Sequence, residues 1–138
     1  MVVTKAIHLE TRGNGDTQDI TQAVARAVGE SGAKAGVVTL FCPGSTSALT
    51  TIEFEPGVVA DLGQVFDEVA PQDRYYRHNE RWGDGNGHSH VRASLLGPSL
   101  AVPFVDGVLT LGTWQQIVHV DFDVRPRRRD VIAQIVGE

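Results

Sequence analysis

From residue 2 to residue 12, Val, Thr, Ile and Leu alternate with charged and polar residues. That period of two predicts a strand with one buried face, and Gly13-Asn14-Gly15 breaks it as a turn. The period then lengthens. Ile20, Ala23, Val24, Ala27 and Val28 share one helical face, with Asp19 as a capping residue and Gly32 as the stop. Residues 35–42 form a short valine-rich run that suits a buried strand, and the β-branched stretch 49–54 predicts the next. A second helix is predicted over 57–69, striped by Val58, Leu62, Val65, Phe66 and Val69 and ended by Pro71. Further on, 99–105 and 108–111 read as strands joined by the two-residue turn Asp106-Gly107. Residues 117–124 alternate, and 130–136 close the chain as a last strand. Many strands with two main helices, not strictly alternating, predict an α+β fold: a compact single domain over 1–138, mostly antiparallel β-sheet.

Composition narrows the function classes. With 12 basic and 17 acidic residues the net charge is −5, which argues against a general nucleic-acid-binding surface. The one basic run, Arg125-Pro126-Arg127-Arg128-Arg129, reads as a solvated turn between strands, with an anion or RNA site as its alternative. Cys42 is the only cysteine, so there is no intrachain disulfide and no cysteine-built zinc cage. A reducing cytoplasm is the simplest compartment. The opening MVVTKAIHLETRG is unlike a signal peptide, and no apolar run approaches the roughly 20 residues of a membrane span. Neither a membrane nor nucleic acid is therefore expected as a partner.

The segment 78–90 carries the densest chemistry. It holds His78, His88 and His90 together with Asn79, Glu80, Asp84 and Asn86 on a glycine-punctuated stretch. Imidazoles and carboxylates crowded together are costly to bury unpaired, and they can ligate a metal or move protons. If the segment is extended, His88 and His90 point to one face, and His78 can fold back over the glycine turn to complete a three-nitrogen site with one open position. On a helix the pair would diverge by about 200°. Polar loop histidines bonded to carboxylates or solvent are the alternative.

Other candidates are weaker taken singly. Gly44-Ser45-Thr46-Ser47 offers three hydroxyls and backbone amides to a phosphate, or forms an ordinary Ser/Thr turn. Cys42, ending an apolar strand, reads as inert packing rather than as a nucleophile. Glu53 and Glu55 share a strand face and present either a base or a solvated strand end. Trp114, with Gln115 and Gln116, suits either a flat heterocycle or a core or subunit contact. His119 reads as exposed or at an interface, opposite Val118, Val120 and Phe122, and His8 as structural.

Several longer motifs, taken in order, resemble the YjbQ-like family. They are Gly83-Asp84-Gly85-Asn86-Gly87-His88-Ser89-His90, Ala93-Ser94-Leu95-Leu96-Gly97-Pro98-Ser99, Val105-Asp106-Gly107, Leu111-Gly112-Thr113-Trp114-Gln115-Gln116 and the closing Val136-Gly137-Glu138. The resemblance implies a compact α+β domain assembled as a homotrimer with sites near subunit boundaries. It also implies a secondary thiamine-phosphate synthase activity, joining hydroxymethylpyrimidine diphosphate to thiazole phosphate with release of pyrophosphate. On that reading a divalent metal, zinc or magnesium, sits on His78, His88 and His90. Ser45, Thr46 and Ser47 take phosphate, Asp84, Glu53 and Asn86 orient groups or accept a proton, and Gln115 reads the pyrimidine. The chain departs from the family pattern at Ser45, where relatives carry histidine, and at Glu53-Phe54-Glu55, where they carry an Asn-Glu pair. Two further readings use the same inventory: a metal-dependent hydrolase of a small phosphate ester, and a noncatalytic trimer that binds a small phosphorylated metabolite or anion.

Overall fold

The computed structural model describes residues 1–138. Its elements are β1 (Val2–Thr11), β2 (Asp16–Asp19), α1 (Thr21–Ser31), β3 (Ala35–Phe41), β4 (Ser47–Ile52), α2 (Pro56–Val69), α3 (Arg77–Trp82), α4 (Gly87–Leu96), β5 (Ser99–Val105), β6 (Val108–Leu109), β7 (Gln116–Asp121) and β8 (Arg127–Gly137). Two sheets form, one in the order β1-β8-β3-β5-β6 and one in the order β2-β7-β4. Every strand pair is antiparallel. The fold is α+β, as the patterning predicts. No helix is long and apolar enough to cross a membrane.

Alternation in β1, β3 and β5 sends Ile7, Val38, Leu40, Val102 and Phe104 inward. They meet Val131, Ala133 and Ile135 of β8, Val24 and Val28 of α1, and Leu49 and Ile117 of the smaller sheet. The main core therefore lies between α1 and the two sheets. A second cluster packs Phe66 of α2 and Ala93 of α4 on Val118, Val120 and Phe122. There the Phe66 and Phe122 rings meet edge to face with centroids 4.9 Å apart.

These two clusters correct the reading of β7. It is the middle strand of its sheet, buried on both faces. Its valine face meets the helices, and its polar face, carrying His119 and Asp121, turns into the space between the sheets. His119 is fully buried rather than exposed or at an interface. In the basic run, Arg125 and Pro126 lie in an exposed turn between strands, as expected, but Arg127, Arg128 and Arg129 begin β8 opposite Thr11, Glu10 and Leu9. Each has an acidic partner: Arg127 with Asp123, Arg128 with Glu10 and Arg129 with Asp121. Finally, residues expected as a histidine loop contain two further helices, α3 and α4. Their histidines, glycines and asparagines have low helix propensity, and the helices persist through tertiary anchoring described below.

Candidate functional site

Helix α3 ends at Gly83, whose φ of 66° gives the left-handed cap a side chain would disfavour, and its N–H returns to the Asn79 carbonyl. The chain then turns back within four residues. Asp84 accepts the Asn86 N–H at 3.0 Å, and the Asn79 side chain accepts the Gly87 N–H at 2.8 Å, tying α3 to the start of α4. Only glycine fits at 87, since a Cβ there would lie 2.4 Å from the Tyr76 Cβ. Asn86 fixes the turn to the segment that follows β7, its Oδ1 accepting from Val124 N at 3.1 Å and from the Ser89 hydroxyl at 2.9 Å. Ser89 in turn donates to the Phe122 carbonyl at 2.6 Å.

This clamp brings His78, Asp84 and His90 together. One ligand atom from each lies within 4.8 Å of the other two. His78 Nε2 is 3.1 Å from the Asp84 carboxylate, and the His78 and His90 rings are 4.4 Å apart between centroids. All three residues are half-buried. The Asn86 N–H, and secondarily His78, hold the Asp84 carboxyl below its usual range, so it stays an anion.

His88 is not part of this group. It lies on α4, where two positions turn a side chain to the opposite side, and it is buried with its Nδ1 unpaired. Burial, and then the Arg92 guanidinium, push its imidazole below the ordinary value. The expected His78-His88-His90 set thus becomes His78-Asp84-His90, because the HxH pair is helical rather than extended. Asp84, expected to orient groups, sits among the donors instead.

The hydroxyl turn faces largely inward. Thr46 donates to Asp123 at 3.0 Å and accepts from Arg129 at 2.7 Å. Ser47 lies 2.8 Å from the Cys42 thiol, and Ser45 alone is exposed. Asn86 is committed to the anchoring just described. Glu55 caps α2 through the N–H groups of Gly57 and Val58, at 2.8 and 2.5 Å, while Glu53 is exposed with no ion-pair partner. Gln115 bonds Gly112 N at 3.0 Å and Thr51 at 3.1 Å, at a cleft between β4 and β5. Trp114 is exposed.

Two groups of residues escaped the sequence reading. Ser89 carries the bond that seats α4. Asp121, Asp123 and Arg129 make an ion-pair layer between the sheets, with Thr11 donating to Asp121 at 2.6 Å. Its signal was present: acids at 121 and 123 end one strand while arginines at 127 and 129 begin the next.

The sequence model of the family described as "UPF0047 protein YjbQ-like" matches residues 5–138. The chain belongs to the YjbQ-like family. A UPF0047 protein of Methanothermobacter thermautotrophicus is 35% identical over 99% of this chain and 94% of its own length. One from Archaeoglobus fulgidus is 38% identical over 91% and 95%. The solved structure of a YbjQ-like protein of unknown function from Sulfolobus solfataricus superposes with a TM-score of 0.94 at 33% identity, covering 100% of this chain and 99% of that one. None of these YjbQ-like proteins is named as a thiamine-phosphate synthase, and their shared description assigns no function. That overturns the expected thiamine-phosphate synthase activity, which came with the resemblance and not from any contact in the site.

Proposed function

We propose that this chain binds a divalent transition metal, with zinc the best match, on His78, Asp84 and His90. The observation that carries the reading is the convergence of two imidazoles and one ionised carboxylate within 4.8 Å. Zinc bonds of about 2.1 Å set donor atoms roughly 3.4 Å apart in a tetrahedron, so small side-chain rotations complete the set. Three protein ligands leave an open position for water or a small ligand, the pattern of sites that work rather than merely brace a fold. Magnesium fits less well, because it favours an all-oxygen shell. A reducing cytoplasm suits the single free, buried thiol of Cys42.

Metal analysis of protein loaded with zinc and desalted should find one ion per chain. His78→Ala combined with His90→Ala should weaken zinc binding by more than about 100-fold, since even outer-shell partners are worth 10–100-fold. Equal zinc content in the variant and the parent would sink the reading.

A homotrimer, the assembly the family resemblance implies, is proposed as well, and the outer sheet face supports contact between copies. The outer face of the large sheet carries rows such as Val2-Val136-Val37-Pro103 and Ala6-Ile132-Phe41-Ser99. Its charges begin only at His8 and Asp130. Between these rows lies a polar but uncharged one, Thr4-Gln134-Thr39-Ala101, and a charge-free, largely apolar sheet face of this extent suits contact with further copies. Light scattering should report three times 14.9 kDa, and Phe41→Asp should reduce it to the single-chain mass. A parent protein that is already monomeric would refute the assembly.

A further inference from the structure

We infer that the open side of the His78-Asp84-His90 centre takes a small oxydianion, shared between the metal and the guanidiniums of Arg77 and Arg81. The inference rests on the metal reading and names the ligand class for that same site.

The observation is the distribution of unpaired cations. Of the 12 basic side chains, Lys5, Arg12, Arg92, Arg127, Arg128 and Arg129 have acidic partners. Arg26, Lys34 and Arg125 are scattered along the chain. The remaining three, Arg74, Arg77 and Arg81, fall within eight residues around His78. In a chain with an excess of acids, that cluster does not arise from a shortage of carboxylates.

Helix geometry places Arg81 beside the ligand His78, three positions on, and Arg77 beside Arg81, four positions back. At about 100° per residue the three span an arc of about 100° on α3, with Arg77 at its edge rather than against His78. Asn79 points away from that arc to hold Gly87. Glu80, the one acid on α3, is hydrogen-bonded by the Tyr75 hydroxyl. Arg77 and Arg81 are exposed and have no acidic partner. The Arg81 guanidinium lies over the Trp82 ring, 5.7 Å from its centroid, a contact of its flat face that leaves the N–H edge to meet a carboxylate or phosphate.

Charge balance sets the class. A divalent ion over one carboxylate, beside two guanidiniums and Glu80, leaves two net positive charges at the open position. A dianion such as a phosphomonoester or a dicarboxylate neutralises them, and a neutral or cationic ligand does not. The hydroxyl turn at 45–47 is a poorer phosphate holder, because Thr46 and Ser47 are bonded internally.

Calorimetric titration of inorganic phosphate, with malonate in parallel, into the zinc-loaded full chain tests this against Arg77→Gln/Arg81→Gln. The double variant should retain its zinc and lose at least tenfold in affinity for one of the two anions, and the anion affected names the source chemistry. Zinc retained with unchanged affinity for both anions overturns this inference alone. A parent chain that holds no zinc overturns the metal reading, and this inference falls with it.

Discussion

Replacing Arg129 by methionine should lower the unfolding free energy by about 3–5 kcal/mol, the range expected when one partner of a buried ion pair is removed. Arg129 is 12% exposed and Asp121 not at all. The guanidinium donates to both oxygens of Asp121, at 2.7 and 3.0 Å, and to Thr46 at 2.7 Å. Its loss leaves Asp121 with the Thr11 hydroxyl and the Asp123 N–H, two neutral donors for a fully buried anion. Against a total stability of about 5–15 kcal/mol, that is a large share. Urea unfolding should show a lower midpoint with an unchanged slope. Asp121→Asn added to Arg129→Met should recover part of the loss, since the unpaired charge is then gone. A loss below about 1 kcal/mol in the single variant would mean that water reaches Asp121 and that the layer is not dry.

The same layer shows what a sequence pattern can and cannot convey. Strand β5 appears with the expected bounds, and Asp106-Gly107 forms the expected turn, with φ of 53° and 74°. Both are local: a run of apolar residues and a dipeptide that tolerates positive φ. Strand β7 also alternates, but alternation says only that two faces differ. It does not say that the polar face meets a second sheet carrying its own counter-charge. β2 was missed for a related reason: its sequence, Asp-Thr-Gln-Asp, is polar throughout, and pairing with β7 alone makes it a strand. At the candidate site the residue inventory was legible and the geometry was not. Whether His88 and His90 face together depends on the backbone between them, and tertiary bonds from Asn79, Asn86 and Ser89 made that backbone helical. Asp84 was visible as a neighbour of the histidines. Only the αL turn at Gly83 shows that it faces His78.

Stability should also fall steeply between neutral and mildly acid pH, with His119 the largest single cause. Its ring is wholly buried, with Nδ1 unpaired and Nε2 3.6 Å from the Cys42 sulfur. Burial lowers its pKa from the ordinary 6.5 to about 4; Asp121 and Asp16 pull in the opposite direction, and the Arg129 guanidinium acts with burial. The sign follows from proton uptake. Above 6.5 the imidazole is neutral in both the folded and unfolded chain, and its contribution is fully present. Below 6.5 only the unfolded chain takes the proton, so stability drops by about 1.4 kcal/mol per pH unit until the folded ring also protonates near 4. The loss across that window is about 3 kcal/mol. Asp16 and Asp123, whose carboxyls are held below their ordinary value, lose their contribution at lower pH and leave the window to histidine. His88, lowered as well by burial, adds slope of the same sign. Urea unfolding of metal-free protein at pH 7, 5.5 and 4.5 measures the loss directly. His119→Gln, which keeps a polar side chain but cannot titrate, should flatten the profile by one proton; an unchanged slope in that variant would show that the buried ring is not what acid attacks.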